Sequence, residues 1–198
     1  MTEKYCKLDD EALEKVMAKK LTPHRLAHSH SVAKRAKELA EKFGVDPDKA
    51  YFAGLVHDIC KCDPISAQLQ TALAGDIIPD ETERVTPAVL HQFAGAVFIE
   101  RELGVTDESI INAVRWHCTG KAGMTPLEKT IYLADLSGAD RNFPDIERTR
   151  EETDRGLDEG MRYCTEMVRA HLLKSGFTLS SHEEECWREY NEQSYIKE

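Results

Sequence analysis

Apolar residues recur along this chain at spacings of three, four, seven and eight, the signature of α-helices that each lay one face on a core. Between residues 23 and 43 the stripe runs through Val32, Ala36, Leu39 and Phe43. It runs through Ile110, Ala113 and Val114 near residue 110, and through Leu127, Ile131 and Ala134 after residue 126. No segment alternates at period two, so the expected fold class is all-α. Five prolines follow a Thr or Asp: Thr22-Pro23, Asp46-Pro47, Asp63-Pro64, Thr86-Pro87 and Thr125-Pro126. The Thr or Asp oxygen can accept from free N–H groups at a helix start, and proline, lacking an N–H, suits the next position. Gly44, Gly75, Gly104 and Gly176 stand where helical patterns stop, as left-handed end residues do, and Ser181-x-x-Glu184 reads as a capping box. The predicted helices are 9–20, 23–43, 47–60, 64–74, 87–103, 107–118, 126–137, 145–174 with a break near Gly156, and 182–196. Residues 75–85 and 138–145 are the longest irregular pieces. A single domain is expected, with a helical extension over 1–22 leading into a bundle over 23–198.

Several of these stripes carry polar residues. His28 lies one turn before Val32, His91 shares a face with Ala94, Gly95 and Phe98, and His117 follows Ala113 and Val114. Asp135 is flanked by Ile131 and Ala134, and the His57-Asp58 pair follows Ala50, Ala53 and Gly54 in the helix over 47–60. Taken singly, each has an ordinary reading. An inward histidine is usually a hydrogen-bonded core or boundary residue, and Asp135 alone fits a salt bridge. Burying two aspartates without partners is very unfavourable, however. Convergence of all six on metal ions explains them together, because cations neutralise the carboxylates and occupy the imidazole lone pairs. Adjacent residues of a helix point about 100° apart, so a centre shared by His57 and Asp58 must lie between their directions. Gly54, which costs about 1 kcal/mol in mid-helix, suits close packing or space for a bound group. His30, His171 and His182 are expected to face solvent.

Composition narrows the ligand. The 198 residues are 41% hydrophobic and 31% charged, an ordinary soluble balance. Lys plus Arg number 26 against 36 Asp plus Glu, a formal charge of −10 that repels nucleic acid and anionic lipid. An anionic ligand must therefore be held by a local positive centre. No apolar run approaches the ~18 residues of a membrane span, and the polar N-terminus does not resemble a secretory signal. Six cysteines without a C-x-x-C pair suggest reduced thiols and a cytoplasmic protein.

The order of motifs resembles the HD superfamily of metal-dependent phosphohydrolases, whose His…His-Asp…Asp pattern reads here as His28…His57-Asp58…Asp135. Within it the chain is similar to the YqeK family of symmetrical bis(5′-nucleosyl)-tetraphosphatases. The matching stretches are RLAHSHSVAKRAKELA (25–40), AGLVHDICK (53–61), LHQFAGAVFIERELGV (90–105), AVRWHCTGKAGMTPLEKTIYLADL (113–136) and DRNFP (140–144), with Tyr190-Asn191 fitting the final helix. The resemblance implies an HD-domain helical bundle with a dinuclear, usually iron, centre. One ion would be held by His28, His57, Asp58 and Asp135, the other by His91 and His117, with Asp58 bridging. The same donors suit manganese, cobalt, nickel or zinc. One departure stands out: family members commonly carry Glu-Pro shortly before the arginine matching Arg141, and this chain has Gly138-Ala139.

The function so implied is symmetrical hydrolysis of diadenosine tetraphosphate and related dinucleoside polyphosphates to two ADP by a metal-bridging hydroxide. Two divalent ions less two aspartates leave a centre of about +2, the local positive site that an acidic chain requires. With Asp58 at the bridge, Lys61 and Arg141 are the further catalytic candidates. Lys61, a turn beyond the His-Asp pair, is a candidate phosphate contact. Arg141, six residues after Asp135, can grip phosphate in a two-pronged way. Thr119-Gly120 could lend backbone N–H groups, and His24, near the cavity mouth, could donate a proton. Lys121, Arg115 and Lys129 are rim charges without assigned roles. The expected partner is a small-molecule nucleotide, with no nucleic acid, no membrane and at most a second copy of the chain in a homodimer. Two rivals remain open: an HD phosphohydrolase for another substrate, such as guanosine tetraphosphate, a deoxynucleotide or a phosphomonoester, and a non-catalytic metal-binding regulatory module.

Overall fold

Thr22, Asp46 and Thr125 cap helices in the way their proline partners suggest. The Thr22 hydroxyl accepts from Arg25 N at 3.3 Å, and Asp46 Oδ1 accepts from the N–H groups of Asp48 and Lys49 at 3.0 Å. Thr125 forms a reciprocal capping box with Glu128. The computed structural model describes residues 2–195, and among them it contains eleven α-helices and no strand. The helices are α1 (Asp10–Lys20), α2 (Pro23–Phe43), α3 (Pro47–Val56), α4 (Ile65–Ala74), α5 (Glu81–Val85), α6 (Leu90–Arg101), α7 (Glu108–Arg115), α8 (Pro126–Ser137), α9 (Ile146–Arg155), α10 (Leu157–Lys174) and α11 (Ser181–Tyr195). The end of the last predicted helix, Ile196, lies outside the described residues.

The all-α expectation holds. α2 lies along α3 and α8, α6 packs between α4 and α7, and α10 backs α8 while contacting α9 and α11. Leu90 to Val97 of α6 are buried on every side, which makes α6 an internal strut. Leu13 and Met17 of α1 enter the same core as α2, α3 and α8. α2 and α3 approach closely at Gly54, where an added Cβ would stand 3.0 Å from Ala33 Cα and 3.2 Å from Val32 O. That approach brings the end of α3 against the His28 face of α2.

Several local expectations are corrected. α3 stops at Val56, so His57 and Asp58 begin a run of tight turns instead of lying inside a helix. Those turns are closed by Ile59 N→Val56 O (3.1 Å) and Lys61 N→Asp58 O (2.8 Å). α7 likewise ends at Arg115, which leaves His117 in the turn beyond it. The irregular stretch 75–85 contains α5, started by an Asp80/Glu83 capping box. Thr86-Pro87 starts no helix, since α6 begins at Leu90 and Thr86 closes α5. Nor does Asp63 cap α4: its carboxylate is taken by Lys20 at 2.8 Å and its carbonyl by Gln68. The left-handed residue after α4 is Asp76, not Gly75. Glycine is needed at 75 for space, because a Cβ there would come within 2.2 Å of Val97. The final capping box is Ser180/Glu183, one residue earlier than read.

The Gly54→Ala variant tests the α2–α3 approach. Helix propensity alone favours alanine by about 1 kcal/mol, but overpacking against backbone atoms costs roughly 1–3 kcal/mol. Urea unfolding is expected to show a net loss of about 1 kcal/mol or more; a more stable variant would show that α2 leaves room there.

Candidate metal centre

Five stretches of chain deliver four imidazoles and two carboxylates to one point: α2, the turn after α3, α6, the turn after α7, and α8. His28, on the core stripe of α2, donates from Nδ1 to Asp140 Oδ2 at 2.7 Å. His57 donates from Nδ1 to Gly54 O and His117 from Nδ1 to Val114 O, each at 2.7 Å. A proton fixed on Nδ1 leaves the Nε2 lone pair aimed at the centre. The tight turns that end α3 and α7 place these rings back over their own helix carbonyls. The turn also lets neighbouring His57 and Asp58 face the same point.

Asp58 divides its two oxygens. Oδ2 faces His57 Nε2 at 3.6 Å and His28 Nε2 at 3.8 Å; Oδ1 faces His91 Nε2 at 3.0 Å and His117 Nε2 at 3.7 Å. Asp135 Oδ1 closes the first group, 3.0 Å from His28 Nε2 and 3.8 Å from His57 Nε2. His91 and His117 meet Nε2 to Nε2 at 3.1 Å. Among the described residues His57 Nε2 is fully buried with no hydrogen-bond partner. An orphaned imidazole nitrogen beside two carboxylates is the donor set of a divalent cation. The groups His28/His57/Asp58 and Asp58/His91/His117 each gather within 4.8 Å and share Asp58, so each could hold an ion.

Electrostatics follows from burial. Desolvation holds His57 and His91 neutral, each with a pKa lowered to about 4. Burial works against ionisation of Asp58, but His57, His117 and His91 more than offset it and hold the carboxyl well below its usual range. Asp135 is held low in the same way by His28 and Arg141. His28 runs the other way: burial lowers its pKa, and the Asp135 and Asp140 carboxylates raise it to a net upward shift.

Lys61 and Arg141 both reach the centre. Arg141 Nη2 pairs with Asp135 Oδ1, its Nε donates to Asp135 O at 2.6 Å, and Lys61 Nζ lies 3.3 Å from His91 Nδ1. The backbone of Thr119-Gly120 has no free donor, which corrects the expectation for those residues. Cys118 N and Thr119 N donate to Gln92 Oε1 at 3.0 and 3.2 Å, and Gly120 N donates to Trp116 O at 3.0 Å. His24 is exposed on the first turn of α2, with no bond to the six residues among those described. Lys129 pairs with Asp158, Lys121 with loop carbonyls, and Arg115 lies over the Trp116 ring. His182 is not simply solvent-facing. It bonds the fully buried Glu83 at 2.7 Å and ties α11 to α5.

Three contributors escaped the sequence reading. Arg25 Nη1 pairs with Asp58 Oδ2 at 3.1 Å; its place one turn before His28 was the available signal. Gln92 holds the 118–119 turn, and Asp140, inside the DRNFP stretch, hydrogen-bonds His28.

The chain is similar to known proteins over most of its length. The family model described as HD domain matches residues 25–141. The symmetrical bis(5′-nucleosyl)-tetraphosphatase of Bacillus subtilis is 36% identical over 83% of this chain and 88% of its own length. The protein of the same name from Staphylococcus aureus is 29% identical over 91% of this chain and 94% of its own. The crystal structure of a predicted HD superfamily hydrolase involved in NAD metabolism from Clostridium acetobutylicum superimposes with a TM-score of 0.90 at 25% identity. It covers 94% of this chain and 98% of that one.

Chelator-treated protein is expected to lose stability as pH falls from 6.5 to about 4. In that window the unfolded chain protonates His57 and His91 and the folded chain does not, at a cost on the order of 3 kcal/mol each. His28, with its raised pKa, has gained its full contribution by 6.5 and leaves the slope in this window unchanged, and the two depressed carboxylates lose their contribution only below 3.8. Urea midpoints across the window should decline; a flat profile would contradict the neutral, buried imidazoles.

Proposed function

The chain belongs to the HD-domain family, and within it to the symmetrical bis(5′-nucleosyl)-tetraphosphatases, and on that premise we propose that it hydrolyses diadenosine tetraphosphate to two ADP. The observation that carries this reading is the pair of donor groups sharing Asp58. His28, His57, Asp135 and Asp58 Oδ2 would hold one divalent ion; His91, His117 and Asp58 Oδ1 would hold a second. Bound there, two divalent ions supply Lewis acidity and acidify water for attack on phosphorus. Iron suits this nitrogen and oxygen set, as do manganese, cobalt, nickel and zinc.

The chain's own residues do the rest. His57 and His91 are kept neutral by burial, and His57, with its Nδ1 proton on Gly54 O, presents its Nε2 lone pair. Arg25, Lys61 and Arg141 stand beside the centre, and their cationic heads would offer a polyphosphate positive charge on a chain of charge −10. Arg141 is set to grip a phosphoryl oxygen, its guanidinium being planar and anchored by Nε on Asp135 O. Water adds to one of the two middle phosphorus atoms and the central bridging oxygen leaves with the other half. Both products are nucleoside diphosphates, and no strong acid is needed for a leaving group of that kind. Among the described residues no helix is long and apolar enough to cross a membrane.

Product separation after incubating metal-loaded protein with diadenosine tetraphosphate tests the reading: ADP alone is expected. ATP plus AMP, or no turnover with any of these metals, would overturn it. Arg141→Ala should lower kcat/KM by roughly 10²-fold, as loss of one transition-state donor does. Elemental analysis should find two ions per parent chain and one in His91→Ala.

A further inference from the structure

Behind one of these ligands stands a carboxylate with no assigned role. Asp140 Oδ2 accepts the Nδ1 proton of His28 at 2.7 Å, while the opposite nitrogen faces the centre. A partner of this kind fixes the tautomer and ring orientation of a metal-binding histidine and raises its basicity. For His57 and His117 a backbone carbonyl fills this place, so His28 depends on a side chain where they do not. The loop that carries Asp140 is held from two sides. Arg150 Nη2 donates to Gly138 O at 3.0 Å and to Arg141 O at 3.2 Å, and Asp140 N donates to Ser31 Oγ at 3.4 Å.

Gly138 makes room for this carboxylate. Its φ of −55° suits any residue, so the backbone does not ask for glycine. Space does: a Cβ at 138 would lie 2.9 Å from Asp140 Oδ1 and 3.3 Å from Ser31 Oγ. Asp140 Oδ1 is the nearest of the atoms hemming that position, and a carboxylate pushed away from a Cβ there would draw Oδ2 off His28. We propose that Asp140 is a positioning residue for His28 and that Gly138 is kept free of a side chain to admit its carboxylate. The inference rests on the two-ion reading of the site.

Manganese titration against a competing chelator tests it. Asp140→Ala should weaken one of the two ions by about 10- to 100-fold and leave the other unchanged. Asp140→Asn, whose carbonyl still accepts, should recover part of the loss. Gly138→Ala should weaken the same ion, and should add nothing in the Asp140→Ala background, as expected for two residues acting through one contact. Unchanged affinity in Asp140→Ala, or a Gly138→Ala effect that persists without Asp140, would overturn the proposal. A parent chain that takes up no manganese would fail the two-ion reading instead. Nitrogen NMR of the His28 imidazole in chelator-treated protein at alkaline pH then decides this inference on its own. The parent should be protonated on Nδ1, the proton should shift toward Nε2 and Asp135 in Asp140→Ala, and identical spectra would overturn it.

Discussion

A single buried carboxylate organises this molecule. Asp58 is 2% exposed, and four imidazole nitrogens stand 3.0 to 3.8 Å from its oxygens. An ionised carboxylate taken out of water costs several kcal/mol unless positive charge meets it. The imidazoles around it do not supply that charge in full, because burial keeps His57 and His91 neutral. They offer lone pairs instead, and lone pairs beside two carboxylates call for cations. In the protein alone Arg25 and Arg141 meet that demand, one on each aspartate.

The fold is the means of meeting it from five directions. The close α2–α3 approach at Gly54 sets His28 against His57, and the same Gly54 carbonyl orients the His57 ring. The internal helix α6 brings His91 from the opposite side, and its next residue, Gln92, pins the turn that carries His117 and Thr119. The charged helices beyond residue 145 contribute through Arg150, which clamps the carbonyls of the loop bearing Asp140 and Arg141. The chain as a whole carries a formal charge of −10, so this cluster of cations and imidazoles is a local exception to its acidic balance.

How much of this could be read from the chain alone depends on where each signal resides. The six convergent residues were legible because each sits on, or directly beyond, an otherwise apolar stripe, where a polar side chain is expensive and needs a reason. α8 was legible to the residue, since Thr125, Pro126 and Glu128 are all local signals. Local signals misled where a distant partner intervened: Asp63 resembled a cap, but Lys20, 43 positions away, takes its carboxylate. The ends of α3 and α7 were overrun because helical periodicity persists through the turns that follow. Arg25 offered only its place one turn before His28 and Asp140 offered no signal, their partners lying 33 and 112 positions away. The Gly138-Ala139 departure was plain in the sequence, but its meaning needed the position of the Asp140 carboxylate.

Anomalous diffraction from crystals grown with manganese tests the central claim most directly. The account predicts two separate peaks about 3.5–4 Å apart. One should lie among His28, His57 and Asp135 and the other between His91 and His117, with Asp58 bound to both. A single peak, or two peaks that Asp58 does not bridge, would contradict it.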